Sequence, residues 1–579
     1  MAQRYGSDVI VDLLQGFGIE YAALNPGATY RGLHDSIVNY GGNRPEIVTC
    51  THEEIAVQIA HGYARVTGKP MVAIVHDVVG LLHCAMAIYY AHVDRAPVIV
   101  LGATGPLDRS RRRPYIDWIH SALVQGNAVR DYTKWDDQPA SVADFGPSFA
   151  RAFRIATQEP AGPVYVCYDA GLQEDDLAAP VDVSAAIAGA RPTAVQADPA
   201  ALARAADLLV AAQRPVILAE FAGRNPAALG AIAALAEAIG APVIDLHGRL
   251  NLPAAHPLNV TGGDALADAD LVLALDVFGL ERALYRLDRT THEKLPRIPA
   301  GCRIIDVGLG ELRASKWSED LGQFQPVDLA IVADTALALP ELRRAIGGRV
   351  DPKARQRRMS AATAMRAQVR AEWAAEARTG WDAIPMEPAR LATEVRDAIA
   401  GLEWVLTGSD LEGWVHRVFD LRDPAQWPGH SLGTATQIGM AIGVALANRG
   451  NGRLIVGFQP DGDLLFDPGA LWTAANLRLP MLLVMYNNRA YYNDWEHQLR
   501  VADKRGTDKA KASIGMDLSD PAPDFALMAR SFGWYSEGPI DDPSAVRSAV
   551  ARGIAAIRRD GRPALLDTIV RRRELTRFR

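Results

Sequence analysis

The chain has 579 residues, a formal net charge of −7 and four cysteines, and at this length three or four domains of ordinary size are expected. The near balance of charge, without a long basic run, argues against nucleic-acid binding, and no apolar run is long enough to cross a membrane. Because the cysteines lack metal-ligand spacing and the N-terminus lacks an apolar signal region, we expect a cytoplasmic protein with reduced thiols and no membrane partner.

Apolar runs of strand length alternate with helical patterns along the whole chain. Such alternation predicts parallel sheets covered by helices, which is an α/β fold of doubly wound domains. Examples of the predicted strands are Tyr21–Leu24, Val72–Val75, Val98–Leu101, Val164–Tyr168, Val216–Ala219, Val243–Asp245, Leu271–Leu275, Arg303–Val307, Val405–Thr407, Leu454–Phe458, Met481–Tyr486 and Ala564–Ile569.

Two breaks divide this pattern into three units. Residues 175–197 are rich in Ala, Asp and Pro and are interpreted as a linker, whereas residues 351–383 are charged and Ala-rich and predict a connecting helix. We therefore predict domains at 1–180, 190–350 and 384–579, with a helical linker at 351–383. The middle unit has no Gly-rich nucleotide loop, so neither FAD nor ADP is expected there. The basic end, 571–579, is interpreted as a solvated or docking tail.

The stretch 457–488 carries the clearest chemical signal. Asp461 follows one predicted strand and Asn488 follows the next. Because a crossover returns the chain to a neighbouring parallel strand, both side chains are expected at the same edge of a sheet. A carboxylate and an amide oxygen form an incomplete cage for Mg²⁺, which takes its other ligands from phosphate and water. The alternative is a surface Asp-Gly turn followed by a chance Asn pair.

This stretch resembles the diphosphate-binding motif of thiamine diphosphate (ThDP) enzymes, which reads Gly-Asp-Gly, a spacer and Asn-Asn. Pro460 departs from the motif at the first position, and the other positions match. The resemblance implies that Asp461, Asn488 and the carbonyl of Ala490 bind Mg²⁺. It also implies that Gly462, Asp463 and Asn488 contact the cofactor.

A second constellation is a carboxylate at the start of an apolar helix. Helix capping is one interpretation of Glu53 and Glu54, since the helix dipole favours negative charge there. Burial of one of them would instead raise its pKa and let it share a proton with a ring nitrogen. The segment resembles the ThDP-enzyme pattern Glu, eight residues, Gly-Tyr-Ala-Arg, with His61 in place of the usual Asp. That pattern selects Glu53 as a catalytic residue, contacting an aminopyrimidine bound to the partner subunit.

Three further blocks are similar to parts of the same family. Asn-Pro-Gly-Ala at 25–28 resembles the turn beside the substrate, which implies a cofactor contact from Gly27 and a pocket position for Ala28. The segment 406–410 resembles the diphosphate-side loop, where Ser409 and Asp410 would contact the cofactor. In the segment 430–434, Leu432 is the candidate for the bulky residue that holds the cofactor bent.

Fewer residues in the sequence point to the side of the site that binds the substrate. His76 follows a strand and resembles the active-site His of benzoylformate decarboxylases and of cyclohexane-1,2-dione hydrolase; a capping or core histidine is the alternative. Histidine suits proton transfer near neutral pH. Ile116 stands where acetolactate synthases carry Gln. We also predict His120 and Tyr492 in the substrate pocket and Asn493 as a catalytic residue.

The resemblance spans essentially the whole chain. It implies three doubly wound domains with ThDP between the N- and C-terminal domains of different subunits, in a homodimer or dimer of dimers. The expected activity is that of a 2-oxo acid decarboxylase or carboligase, acting on a 2-oxo acid, aldehyde or diketone. Alternatives are a cyclohexane-1,2-dione-hydrolase-like enzyme and an acetolactate-synthase-like transferase. Glu53 argues against a non-catalytic ThDP-binding protein, and the lack of a well-placed Gly-x-Gly-x-x-Gly argues against a Rossmann dehydrogenase.

Overall fold

Three separate parallel sheets organise the chain, as seen in a computed structural model that describes residues 3–189, 192–313 and 323–573. Each sheet is covered by helices, which confirms the predicted α/β architecture. The strands at the centre of each sheet are buried along nearly their full length, as expected for parallel strands covered on both faces.

The N-terminal sheet has six parallel strands in the order β3-β2-β4-β5-β7-β6. From β2 the chain passes to β3, which pairs with one side of β2, and then to β4, which pairs with the other side. The carboxyl ends of β2 and β4 therefore form the topological switch point. The strands are β2 Tyr21–Leu24, β3 Glu46–Thr49, β4 Met71–Val75, β5 Val98–Thr104, β6 Trp135–Asp137 and β7 Val164–Asp169; a short antiparallel pair joins β1 Arg4–Tyr5 to β8 Asp176–Leu177. The helices are α1 Gly6–Gly16, α2 Arg31–Asp35, α3 Glu53–Thr67, α4 Asp77–His83, α5 Ala85–Val93, α6 Asp117–His120, α7 Phe145–Thr157, α8 Ala170–Gln173 and α9 Ser184–Ala188.

The middle sheet has five parallel strands in the order β10-β9-β11-β14-β15. Its strands are β9 Pro215–Ala219, β10 Val243–Asp245, β11 Leu271–Leu275, β14 Arg303–Gly308 and β15 Leu329–Val332, and a side hairpin pairs β12 Tyr285–Leu287 with β13 Lys294–Pro296. Its helices are α10 Pro199–Ala211, α11 Ala227–Ile239, α12 Leu280–Leu284 and α13 Thr335–Ile346. One long helix, α14 Pro352–Glu376, occupies the segment for which a connecting helix was predicted.

The C-terminal sheet has five parallel strands in the order β16-β17-β18-β20-β19. The strands are β16 Trp404–Gly408, β17 Leu454–Pro460, β18 Met481–Tyr486, β19 Tyr535–Ile540 and β20 Ala564–Thr568. The helices are α15 Pro388–Ala398, α16 Trp414–Val418, α17 Thr436–Ala447, α18 Asp461–Leu464, α19 Ala470–Asn476, α20 Tyr492–Arg505, α21 Phe525–Ser531 and α22 Val546–Asp560. Neighbouring β17 and β18 end beside each other, which brings the two halves of the predicted metal motif to one edge.

The N- and C-terminal domains share one hydrophobic core through helices α3 and α17. A methyl group on Gly62 would overlap the carbonyl oxygen of Met440, and one on Gly443 would overlap the carbonyl oxygen of Ile59. The two backbones therefore touch where neither helix carries a side chain. This contact fixes the start of α3 relative to the loop that precedes α17.

Other predictions concern the chain as a whole. Across the residues that the structure describes, no helix has both the length and the apolar character needed to cross a bilayer. The four cysteines are free, with Cys50, Cys84 and Cys167 buried and Cys302 half-buried. Of the predicted basic tail, residues 574–579 lie outside the described part of the chain.

The contact between α3 and α17 is testable through Gly443. We expect Gly443→Ala to lower the free energy of unfolding by about 1–3 kcal/mol, because a methyl group has no room against the α3 backbone. The midpoint of thermal unfolding should fall accordingly. Gly230→Ala in α11 is the control, because a side chain there meets no atom within 4 Å and alanine favours a helix. Equal midpoints for the two variants would contradict the close contact.

Candidate active site

The first group of candidate residues lies at the switch point of the N-terminal sheet. Leu24 of β2 is in register with Ile74 of β4, so the segments that follow the two strands meet. Gly27 lies directly against His76, and any side chain at position 27 would overlap the histidine. The structure therefore brings these two predicted site residues together, and Ala28 follows as an exposed residue at the start of a 3₁₀ turn.

His76 is held in a defined orientation. The Thr29 Oγ1 lies 3.0 Å from Nδ1 of His76, and the ring of His120 meets the His76 ring edge-on at 5.3 Å between centroids. Burial, and then the nearby His120, lower the pKa of His76, whereas the negative charge of Glu53 opposes the shift. His76 is therefore a neutral imidazole at neutral pH, in electrostatic contact with Glu53. The sequence led us to expect a titration near neutrality, and burial moves it lower.

Asp77, the residue after His76, holds a neighbouring loop and was not predicted from the sequence. It is fully buried with a left-handed backbone, φ 52°, a conformation of a non-glycine residue that is often kept at functional sites. Its carboxylate accepts hydrogen bonds from Ser121 Oγ at 3.1 Å and from Gln125 Nε2 at 2.6 Å. These bonds hold the segment that carries Ile116 and His120 beside His76. An Asp directly after a strand-end His was the available signal.

Glu53 and Glu54 have different surroundings. Glu53 is 4% exposed; its Oε2 lies 3.2 Å from His83 Nδ1, and Gly80 of α4 faces its carboxyl group so closely that a side chain there would crowd Oε1. Glu54 is half-buried on the side of Asp467, and burial together with that charge raises the pKa of Glu54 to about 7. The capping side chain of α3 is His52, which accepts from the Glu54 N–H. Glu53 is thus not the residue that caps the helix.

Helix α3 is also fastened by a buried charge cluster that the sequence did not reveal. Asp94 lies 2.6 Å from Nε2 of His61 and forms ion pairs with Arg65 and with Arg249 of the middle domain. Although burial alone would raise the pKa of Asp94, Arg249 and Arg65 hold it well below its usual range. Arg65 also donates to the carbonyl of His430 at 2.7 Å. His61, which departs from the family pattern, therefore joins a cluster that connects all three domains.

The second group lies at the edge of the C-terminal sheet. Asp461 follows β17 directly, is buried, and accepts a hydrogen bond from the Ala490 N–H at 3.1 Å. Burial raises the pKa of Asp461 to about 6, although neighbouring backbone N–H groups oppose the shift. Among the described residues, buried Oδ1 atoms of Asn488 and Asp463 have no hydrogen-bond partner. A carboxylate that lacks a countercharge beside an unsatisfied amide oxygen fits a hard divalent cation.

Asn487 and Gly462, which belong to the same motif as Asn488, are engaged in structural contacts. Asn487 donates to Asp567 at 2.8 Å and accepts from the Arg489 N–H at 3.0 Å, so its side chain braces the loop. The ring of Tyr491 lies against Gly462, where a side chain would overlap it. The Asn pair of the motif therefore divides into one bracing residue and one with an open oxygen.

The predicted diphosphate-side loop uses part of its own polar groups. The Ser409 N–H donates to the Phe458 carbonyl at 2.8 Å, and the Ser409 hydroxyl accepts from the Leu411 N–H at 3.1 Å. Leu411 has a left-handed backbone, so the loop turns sharply just after Asp410. Ser409 therefore has less free hydrogen-bonding capacity than the sequence suggested.

Leu432 lies at a strained turn. It is half-buried, and the three residues that follow it, 433–435, all have positive φ, two of them without being glycine. Helix α17 begins immediately afterwards. Such a run of left-handed residues is held only where the surroundings impose it, which marks the predicted position of the cofactor-bending residue as a fixed one.

Tyr492 and Asn493 face the C-terminal segment. The Tyr492 hydroxyl donates to the Arg573 carbonyl at 2.8 Å, and Asn493, which is exposed, accepts from Arg573 at 3.1 Å. The preceding Arg572 donates to the Asn488 carbonyl at 3.3 Å. The structure thus places these two predicted residues with the tail and the metal motif, not with the His76 group of the same chain.

The switch point of the middle sheet is filled by ion pairs. Asp276 after β11 accepts from Arg95 of the N-terminal domain at 2.8 Å and pairs also with Arg224. Glu220 after β9 pairs with Arg282 and accepts from the Phe278 N–H at 2.6 Å. At this edge, where doubly wound domains usually bind ligands, the Asp276–Arg95 pair joins the middle domain to the N-terminal domain.

Comparison with known proteins agrees with this arrangement. The chain matches the thiamine pyrophosphate enzyme N-terminal TPP binding domain over residues 4–126, the central domain over 202–342 and the C-terminal TPP binding domain over 408–568. A probable 2-ketoarginine decarboxylase of Pseudomonas aeruginosa is 28% identical over 563 residues, covering 92% of this chain and 89% of that protein. A probable chloroplastic acetolactate synthase of Oryza sativa subsp. japonica is 25% identical over 601 residues, covering 99% and 84%.

The fold is shared with solved structures. The crystal structure of benzoylformate decarboxylase from Polynucleobacter necessarius matches with a TM-score of 0.76 at 18% identity, covering 99% of each chain. The three domain matches together span most of the sequence in the order that the sheets follow. The chain therefore belongs to the thiamine pyrophosphate enzyme family, and its cofactor is thiamine diphosphate.

Proposed function

We propose that the protein is a Mg²⁺-dependent 2-oxo acid decarboxylase or carboligase. The observation that carries this proposal is the buried carboxyl group of Glu53 within electrostatic range of His76, whose pKa is lowered by burial. A neutral imidazole suits proton transfer to and from a substrate oxygen or carbon. Relatives described as 2-ketoarginine decarboxylase and benzoylformate decarboxylase act on 2-oxo acids, which supports this substrate class.

The C-terminal group would hold the cofactor. Asp461, Asn488 and the carbonyl of Ala490 would bind Mg²⁺, and Gly462 and Asp463 stay predicted contacts of the diphosphate. When bound, thiamine diphosphate supplies an electron sink for the carbanion formed next to a carbonyl. Leu432 would support the cofactor from below, at the strained turn before α17.

The N-terminal group would handle protons. Glu53 would exchange a proton with the aminopyrimidine ring, from a buried position that keeps bulk water away. His76 would donate to or accept from the substrate, oriented by Thr29 through Nδ1. His120 and Ile116 would shape the pocket beside it, since Ile116 has no proton to give.

We infer that the active protein is a homodimer or a dimer of dimers, with Glu53 and Asp461 of each site supplied by different subunits. In the single chain, a group of large apolar side chains is exposed on and near α4 and α6, next to the His76 group. Exposed apolar groups of this kind mark interaction surfaces. They are Leu82, Met86, Tyr115, Trp118, Ile119, Leu123 and Val124. The cytoplasmic location stays a prediction.

A substrate screen tests the proposed function. Purified protein with ThDP and Mg²⁺ is offered 2-oxo acids, with and without aldehydes, and cyclic and open 1,2-diketones, and CO₂ and products are measured. CO₂ release from a 2-oxo acid is the expected result. Ring opening of a diketone without CO₂ would favour the hydrolase, and acetolactate from pyruvate the transferase. No turnover with any compound would overturn the proposal.

Removing Asp461 should abolish metal-dependent cofactor binding. We expect Asp461→Ala to lose most of its affinity for ThDP in the presence of Mg²⁺, measured by calorimetry, because the variant lacks the anionic ligand. Asp503→Ala, which removes an exposed carboxylate on α20, should bind normally. Unchanged affinity in Asp461→Ala would contradict the metal assignment.

The same site predicts a pH dependence of binding. Burial raises the pKa of Asp461 to about 6 in the protein without metal. Above that pH the carboxylate is ionised and binds Mg²⁺, whereas below it a proton competes with the metal for the carboxylate. The metal-dependent affinity should therefore be full near neutrality and fall about tenfold by about pH 5. In Asp461→Asn, this part of the pH dependence should be missing.

Glu53→Gln should keep the fold and the cofactor but lose turnover. The amide has nearly the same shape but does not ionise, so kcat should fall by about 10²–10⁴-fold. Glu54→Gln is the matched control and should retain activity, since Glu54 faces Asp467 instead of α4. The reverse pattern in steady-state kinetics would show that the neighbouring carboxylate is the catalytic one.

Mixing two inactive variants tests whether Glu53 and Asp461 of one site come from different subunits. When Glu53→Gln and Asp461→Ala subunits are mixed and reassembled, a mixed dimer would contain one site with both residues intact. Activity in the mixture above that of either variant alone supports the shared site. Reassembled mixed dimers without activity would contradict it.

His76→Ala should lower kcat while ThDP affinity is retained. The acid limb of the wild-type pH–rate profile reflects protonation of the neutral imidazole. Its apparent pKa should lie below the ordinary histidine pKa, because burial lowers the pKa of His76. In the variant this limb should disappear. Ile116→Gln should change substrate preference more than cofactor affinity. Wild-type turnover of His76→Ala across several substrates would return His76 to a structural role.

A further inference from the structure

A small cavity lies where the middle domain, the connecting helix α14 and the C-terminal domain meet. Its lining includes the imidazoles of His247, from the loop after β10, and His416, from α16, and the guanidinium groups of Arg366 and Arg370, from α14. The cavity volume is about 20 Å³, which is room for one water molecule or one monatomic ion. The buried apolar side chains around it are Leu250, Leu252, Val369 and Leu421.

The two histidines leave buried donors without acceptors. Their rings stack with 3.6 Å between centroids and 9° between planes. His416 is 8% exposed, and neither of its ring nitrogens has a hydrogen-bond partner among the described residues, nor has Nδ1 of His247. Burial and then His247 lower the pKa of His416 well below its usual range, so the ring is neutral and carries one N–H. Whichever nitrogen holds this proton, an unsatisfied donor is buried, which is unfavourable unless a ligand accepts from it.

The backbone of His247 adds a second sign of a constrained site. Its φ is 64°, a left-handed conformation that a non-glycine residue keeps only where the surroundings impose it. Its own N–H donates to Oδ1 of Asp245 at 2.8 Å. The loop therefore holds the imidazole against His416 at the cost of local backbone strain.

The two arginines place surplus positive charge at the same cavity. Arg366 and Arg370 are one turn apart on α14, so their like charges repel each other. Each donates to a backbone carbonyl at 3.0 Å, whereas Nε of Arg366 is buried without a partner. In the part of the chain that the structure describes, neither guanidinium lies within ion-pair distance of a carboxylate. Asp420, which acts on Arg370 from further away, is paired with Arg422.

The other polar groups nearby do not supply the missing acceptor. The carboxylate of Asp245 is 3.6 Å from Nδ1 of His247 and accepts from backbone N–H groups of its own loop. Asn259 and Thr261 line the cavity but are hydrogen-bonded to each other at 2.7 Å. A metal ion does not fit, because the arginines would repel it and because none of the metal-type ligand groups among the described residues includes these histidines. Unsatisfied N–H donors beside unpaired cationic groups indicate an anion.

We propose that this cavity binds one monovalent anion of the size of chloride, held by the imidazole N–H groups of His247 and His416 and by the guanidinium groups of Arg366 and Arg370. The anion accepts from the buried donors and screens the two like charges of α14 from each other. It joins the loop after β10, α14 and α16, and thereby all three parts of the chain that meet there. The site shares no residue with the proposed cofactor and substrate positions, so it does not depend on the proposed function.

The first experiment measures thermal unfolding of the protein without cofactor in sodium chloride and in sodium isethionate, at equal ionic strength and pH. Isethionate is too large for the cavity. Because a ligand that binds only the folded state stabilises it, we expect the unfolding midpoint to rise as chloride replaces isethionate. Equal midpoints in the two salts would overturn the proposal.

Three variants locate the effect of chloride. His416→Phe keeps a ring against His247 but removes the N–H, and Arg366→Gln and Arg370→Gln each remove one positive charge. In each, the apparent affinity for chloride should fall at least about tenfold, since a hydrogen bond to a charged group is lost. Arg357→Gln, at an exposed position of the same helix, should keep the wild-type response. Comparing two salts for one variant cancels any change in its overall stability.

The variants also show how the proposal fails. A response to chloride of wild-type size in any of the three would place the effect at another site and overturn the proposal. If the cavity is empty or holds water, His416→Phe only removes an unsatisfied polar group, and its midpoint should rise equally in both salts.

The second experiment is crystallographic. Wild-type crystals grown with bromide in place of chloride should show an anomalous peak between the four side chains, and His416→Phe crystals should show none there. A wild-type cavity without anomalous signal would hold water, and the proposal would fall. A peak without any effect of chloride in solution would mean binding at crystal concentration only, with the same consequence.

Discussion

The backbone contact between α3 and α17 is the constraint on which the site depends. Glycines on both helices allow a distance of approach that side chains would prevent, and the residues around them form one core shared by two domains. Each helix starts at a residue or turn to which we assign a proposed role: α3 at Glu53, and α17 just after the strained turn that follows Leu432. Because packed interiors yield little, a shift of one helix start is transmitted to the other.

A buried charge cluster supplements this apolar contact. Asp94 gathers cationic groups from two domains, and one of these, Arg65, also holds the loop that carries Leu432. Buried ion pairs often add little net stability, because desolvation opposes the attraction. Their directional bonds make one relative placement of the domains preferable to others. The ion pairs at Asp276 have a similar effect at the edge of the middle sheet.

The sequence was sufficient for features that depend on local order. Most strand positions, the parallel arrangement and the meeting of Asp461 with the Asn488 loop follow from apolar runs and from the rule that neighbouring parallel strands end together. Strands β3, β6, β15 and β19 were not among the runs named from the sequence. The contacts of His76 with Thr29, of Glu53 with His83 and of His61 with Asp94 join separate segments, so no local pattern announces them. Ser409 shows the opposite limit: its residue type suits phosphate, but its N–H already donates within the loop and its hydroxyl oxygen already accepts there.

The C-terminal segment has a consequence for how the empty and loaded protein would differ. Arg572 is bonded to the carbonyl groups of Asn488 and Arg489, and Arg573 is paired with Glu496, a fully buried carboxylate of α20. The order of this segment is therefore tied to the order of the metal loop. A cation bound in this loop, as proposed, would make the segment 571–573 harder for a protease to cut, so susceptibility to limited digestion near residue 571 becomes a measure of how many sites in a preparation are occupied.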